Sequence, residues 1–207
     1  MVASDEEQIE RIRDWWSEHG KTVIAGVVLG VAGLIGWQGW QGWQDNRVAS
    51  AAAAFANLEQ MAAAGEGDVV ERARDVATSH DGTSYTVLAW LIGAGAAVDN
   101  NDLETAASYL ERARASADRA QLVATVDLRL ARVLWAQGEH DAALERLAEP
   151  PAGFDGLFAE LRGDILAERG DLVAAREAYE TAVESDAANG LLQMKLDSLP
   201  ANAEEAS

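Results

Sequence analysis

From Thr22 to Trp43 the chain reads TVIAGVVLGVAGLIGWQGWQGW, and no charged residue interrupts it. A helix rising ~1.5 Å per residue covers roughly 33 Å over this stretch, against a bilayer hydrocarbon core of ~30 Å. The pattern predicts one membrane anchor, residues 22–43. Ahead of it, Ile9, Ile12, Trp15 and Trp16 recur at helical spacing within Asp5 to His19. This predicts a short amphipathic helix in a tail formed by residues 1–21. Behind the anchor, apolar positions recur in shorter amphipathic runs parted by Gly, Asn and Asp. They predict helices near 22–64, 68–79, 84–98, 102–116, 120–136, 140–148, 155–168, 172–185 and 190–199. Pro150 and Pro151 make a loop between two of them, and residues 201–207 form a small polar tail.

The runs after the anchor repeat. Leu128, Leu134, Gly138, Ala143 and Leu147 make one copy; Gly163, Leu166, Gly170, Ala175, Tyr179 and Ala182 make the next. Asn101, Ala106, Leu110 and Ala113 belong to an earlier copy, and a fainter one runs from Arg47 to Thr78 with its turn near Gly65 to Gly67. The turn positions Asn101, Gly138 and Gly170 lie 37 and 32 residues apart, near the ~34-residue tetratricopeptide period. Small residues in the first helix of each unit (Ala94, Ala131, Gly163) permit close crossing. Small residues in the second (Ala106, Ala143, Ala175) fit beneath it. Gly or Asn at the turn takes the left-handed conformation that ends a helix. Asn101 with Glu104 is read as a cap with its reciprocal acid. The expected fold is all-α: one N-terminal transmembrane helix, then over residues 44–200 a tetratricopeptide-like α-solenoid of three to four helix pairs, closed by the helix at 190–199.

Orientation follows from Lys and Arg, since acids contribute little to it. Arg11, Arg13 and Lys21 precede the anchor, whereas Arg47 alone follows closely. The N-terminus is therefore expected in the cytoplasm and the array in the periplasm. The small residues Val48 to Ala51 lie too far beyond the apolar run for a signal-peptide cleavage site. Trp37, Trp40 and Trp43 form an aromatic belt at the outer interface. Trp15 and Trp16 are placed at headgroup level on the other side, or simply lead into the anchor. Gly26 and Gly30 make a GxxxG pair that Gly33 extends on nearly the same face. It is read either as a packing face for a partner's transmembrane helix or as the ordinary glycine content of membrane helices.

Charge and chemistry narrow the function. The chain carries 35 acids against 16 Lys and Arg, a formal charge of −19. Phosphate contacts need clustered bases, so nucleic-acid binding is not expected. Cysteine is absent, which removes disulfides, thiolate nucleophiles and Cys-type metal sites. His19, His80 and His140 are far apart, the latter two in turns beside Asp81 and Asp141. No HExxH, phosphate-loop or dinucleotide pattern occurs. No catalytic, cofactor or metal residue is assigned, and no enzyme is expected.

The segment from Gly20 to Trp40, with Gly26, Gly30, Leu34, Ile35, Gly36 and Trp37 in place, resembles the anchor of YfgM-like proteins, the ancillary SecYEG translocon subunits. Leu128 to Val133, Leu161 to Gly170 and Gln193 to Leu196 agree in the same order. The chain departs from that pattern in the Gln-Gly-Trp repetition through Trp43 and in its more acidic array. The resemblance implies an inner-membrane protein with a periplasmic tetratricopeptide-like domain. Its implied partners, besides the lipid bilayer, are the SecYEG translocon, a PpiD-like periplasmic chaperone and translocated client polypeptides. The alternative is a membrane-anchored adaptor in envelope assembly or stress signalling, acting through its cytoplasmic tail.

Overall fold

The computed structural model describes residues 5–187 and 190–200; the polar tail expected at 201–207 lies outside them. The chain divides into two units, residues 1–50 and 51–207. Helix α1, Asp5–Ala64, runs through 60 residues. The expected break between tail helix and anchor is not there. An isolated Gly such as Gly20 costs a helix only about 1 kcal/mol and does not end it.

Within the second unit the end of α1 is followed by α2 (Val69–Ser79), α3 (Ser84–Asp99), α4 (Leu103–Ser116), α5 (Ala120–Ala136), α6 (His140–Arg146), α7 (Asp155–Arg169), α8 (Leu172–Ala182) and α9 (Gly190–Asp197). Helices α3 and α4, α5 and α6, and α7 and α8 pack as pairs, and α2 packs on α3. Val183–Ala187 continues α8 as a wider π-type turn where a regular helix is expected. There the Thr181 and Ser185 hydroxyls each donate to the carbonyl four residues earlier, competing with the backbone ladder.

The turns use the expected residues, with one reassignment. Asn101 is left-handed at φ 58°, and Gly170 ends α7 at φ 89°. After Gly170, the Asp171 N–H donates back to the Leu166 carbonyl at 2.9 Å, as in a glycine-ended helix. Asn101, however, does not cap α4. Asp102 does, its carboxylate accepting from the Thr105 N–H at 3.0 Å. A residue already in the left-handed turn is one place too early to reach the free N–H groups of the next helix. Hydrogen bonds from the Thr105 side chain and backbone hold the Asp102 carboxyl below the usual range.

Close crossing defines each pair. A methyl on Gly163 would come within 2.4 Å of the Tyr179 ring, and one on Gly93 within 2.7 Å of Ala73 and 2.8 Å of Tyr109. The sequence pattern singled out Ala94 for the second role. Ala94 is buried too, but Gly93 is where α2 and α4 both press on α3. The Tyr109 hydroxyl then donates to the Val70 carbonyl at 3.2 Å, fastening α4 to α2. Helix α5 faces two ways. Val126, Leu130 and Val133 join a core with α2, α3 and α4, whereas Leu128 and Ala131 join one with Leu147, Phe158 and Ile165.

Two polar links lock successive elements. Arg114 Nε on α4 donates to both carboxylate oxygens of Asp127 on α5, at 2.9 and 3.0 Å. Burial raises the Asp127 carboxyl above its ordinary value, and Arg114 only partly opposes this. At the far end, Lys195 on α9 donates to Asp164 at 2.7 Å and Glu160 at 3.1 Å, and Asp164 also accepts from the Tyr179 hydroxyl at 2.7 Å. Burial disfavours the Lys195 charge, but these bonds outweigh it and raise its pKa. Burial and the bond to Asp164 push the Tyr179 phenol upward as well. Arg176 donates to the carbonyls of Leu196, Leu199 and Pro200 and so holds the end of the closing helix.

Gly163→Ala and Gly93→Ala are each expected to cost about 1–3 kcal/mol in denaturant melts, by overpacking. Gly95→Ala, which meets open space, should gain about 0.5–1 kcal/mol. Arg114→Ala should destabilise more than Asp127→Ala, because it leaves a buried carboxylate without its cation. Its deficit should shrink as pH falls through the Asp127 folded pKa, since the protonated carboxyl carries no charge to desolvate. Urea melts across pH 4–7 on both variants check the sign.

Candidate interaction site

Helix α3 carries no charged side chain from Ser84 to Val98. A helix apolar on every side must be covered on every side, or else offer a face. One side, with Trp90, Ala94 and Ala97, is buried in the core. The other faces an open groove of about 850 Å³ between the end of α1, α3 and α5, floored by Phe55, Leu88, Leu91 and Ile92 and edged by Glu59, Asp68, Asp99 and Arg129. A second lobe of about 410 Å³ continues past Gly95 and Val98 to Arg129, Arg132, Val133 and Ala136. Gly95, Asp99 and Arg129 line both lobes. Val98 is 42% exposed. A concave apolar floor with a charged rim suits an extended polypeptide or a partner's side chains. The repeat pattern alone does not place the groove. The signal was the missing polar face of α3.

His80 and His140 are at helix ends, whereas His19 lies within α1. The His80 carbonyl accepts from the Thr83 and Thr86 hydroxyls at 2.8 and 2.9 Å. His140 Nε2 lies 3.6 Å from the Glu168 carboxylate, beside the Arg169–Asp141 ion pair at 2.7 Å. Neither histidine lines either lobe of the groove. Among the described residues no group of three or more His, Asp or Glu could hold a metal ion.

The first unit is residues 1–50. Its apolar stretch is long and apolar enough to cross a membrane, and none of it is buried within the protein. Leu29 is 73% exposed and Ile35 66%. A methyl added to Gly26, Gly30 or Gly33 would touch nothing within 4 Å, so no packing among the described residues accounts for these glycines. At 100° per residue the three fall on one face, which runs on to Trp37 and Trp40. The Trp37 and Trp40 rings lie 5.5 Å apart, and Arg47 sits 4.9 Å above the Trp43 ring. On the other side of the stretch, Trp15 and Trp16 are half-exposed, and Trp15 stacks on His19 at 5.4 Å.

A bare apolar helix joined to stacked helix pairs defines a single-pass membrane protein with a helical-repeat domain. Residues 13–201 match the family described as tetratricopeptide repeat-like domain. The chain is 36% identical over 203 residues to the ancillary SecYEG translocon subunit of Escherichia coli K12, covering 96% of this chain and 98% of that protein. It is 32% identical over 198 residues to the protein of the same name from Haemophilus influenzae, covering 94% and 97%. The chain belongs to the family of ancillary SecYEG translocon subunits.

Val98→Lys is expected to leave stability within about 0.5 kcal/mol, as at other exposed sites, while lowering the binding of an apolar dye such as bis-ANS. Ala94→Lys, on the buried side of the same helix, should unfold the array. Thermal melts and dye titration on both variants separate the two faces.

Proposed function

We propose that this protein is a non-enzymatic scaffold of the bacterial inner membrane that associates with the SecYEG translocon. Its array receives newly translocated polypeptides and helps pass them to a PpiD-like periplasmic chaperone. The observation that carries this reading is full-length similarity to proteins named ancillary SecYEG translocon subunits, spanning both the anchor and the repeats. In this reading residues 1–21 are a cytoplasmic tail, 22–43 the anchor and 44–200 the periplasmic domain. Gly26, Gly30 and Gly33 present a face on which a partner's transmembrane helix can approach closely. Trp15 and Trp16 on one side, and Trp37, Trp40 and Trp43 on the other, fix the depth of the anchor. The excess of Arg11, Arg13 and Lys21 over Arg47 supports a cytoplasmic N-terminus. The groove along α3 supplies the apolar surface for a client.

The test is photocrosslinking in cells from a probe residue placed at Gly26 or Gly30. Recovery of translocon components is expected; recovery of lipid alone would sink the proposal. Deleting the first nineteen residues should leave the association intact, whereas an adaptor working through its tail would lose its partner. Because the chain has no cysteine, orientation can be read from single introduced thiols. A membrane-impermeant maleimide should label Ser50→Cys on intact spheroplasts and Ser17→Cys only after lysis.

A further inference from the structure

Several arginines of the array are paired with acids: Arg74 with Glu71, Arg114 with Asp127, Arg146 with Glu111, Arg169 with Asp141 and Arg176 with Glu180. Among the described residues Arg72, Arg112 and Arg162 have no such pair, Arg112 lying over the Trp90 ring instead. Arg129 and Arg132 have none either, and they stand side by side. They lie three residues apart on α5, both are exposed, and neither makes an ion pair or side-chain hydrogen bond among the described residues. Like charges at this spacing on a helix repel. Both line the second lobe of the groove, whose other walls include the apolar Val98, Leu103, Val133 and Ala136. Asp99 is the one carboxylate lining that lobe, and it is beyond ion-pair distance of both arginines.

From this charge complementarity we infer that the groove binds an extended segment of another polypeptide that carries large aliphatic side chains and, a few residues along, an acidic side chain. The aliphatic groups enter the wide lobe over Leu88, Leu91 and Ile92. The carboxylate accepts from Arg129 and Arg132, whose forked donors suit two-point capture. Between the lobes Gly95 faces open space, so the backbone of the segment passes close to α3 without meeting a side chain. From Leu88 to Val98 the α3 face spans roughly 15 Å, which an extended chain covers in about four to five residues at ~3.3 Å each. That sets the separation between the aliphatic and acidic positions. The assignment rests on the proposed role of the array in receiving polypeptides and specifies the chemistry of the client.

The test uses the full chain in detergent micelles and a fluorescent peptide, acetyl-Ser-Leu-Leu-Ser-Gly-Asp-Leu-Ser-amide, whose only carboxylate is its Asp. Fluorescence anisotropy should show binding about tenfold tighter than that of the Asn counterpart, weakening as salt is raised. The double variant Arg129→Glu, Arg132→Glu should lose the preference for Asp while binding the Asn peptide as before. Arg129→Gln, Arg132→Gln serves if the charge reversal disturbs the melting temperature. Equal binding of the two peptides, no binding of either, or an Asp preference that survives both double variants would overturn the inference. So would tight binding only by an Asn peptide with a free terminal carboxylate, which would make the occupant a chain end. The crosslink from Gly26 to the translocon should be unchanged in the double variant. Absence of that crosslink in the wild-type protein instead counts against the scaffold reading, whatever the peptides do.

Discussion

Stacking of helix pairs is the constraint on which this array depends. No pair has enough apolar surface of its own to hide, so each borrows a face from the next. Helix α5 shows this most directly, with Leu130 turned to one core and Leu128 to the other. The glycines decide how close the borrowing comes. At Gly163 and Gly93 an aromatic ring occupies the space a methyl would take, and the tyrosine hydroxyl above each ring then finds an acceptor. Apolar approach and polar fastening are therefore one event. The ring cannot seat unless the glycine yields, and the hydroxyl cannot reach its partner unless the ring is seated.

The two ends of the array solve different problems. At the start, α3 is apolar all round and is left with an uncovered face, the groove floor. At the finish, α9 covers Tyr179 and Ala182 with Leu192 and is held by Lys195 and Arg176. One end is built to remain open and the other is built shut. The openness has a physical source in composition. Gly95 and Ala96 keep side chains off the groove side of α3, and the charges that would normally solvate such a face have moved to its rim.

Much of this was legible in the sequence. The period between Asn101, Gly138 and Gly170 gave the pairs and their turns, because a left-handed residue is needed where one helix hands over to the next. The uncharged run after Thr22 gave the anchor, because helix length and bilayer thickness must match. What sequence left unread depended on neighbours distant in the chain. Gly93 rather than Ala94 takes the close contact because α2 and α4 converge there, and no local pattern says so. Asp102 rather than Asn101 caps α4 because the left-handed residue stands one place ahead of the N-cap, as Gly138 stands before Glu139 and Gly170 before Asp171. The location of the groove required knowing which side of α3 the core leaves bare.

The lysine distribution has a practical side. Lysine occurs only at positions 21 and 195; the first adjoins the apolar stretch, and the ammonium of the second is held by Asp164 and Glu160. Reagents that acylate amines act on the neutral, freely moving form of the group, which this second site withholds. Interaction maps assembled with amine-directed linkers will thus pass over the array almost without trace, however crowded its surroundings. Carboxylate-activating chemistry has 35 acids to work with and is the means by which its neighbours come into view.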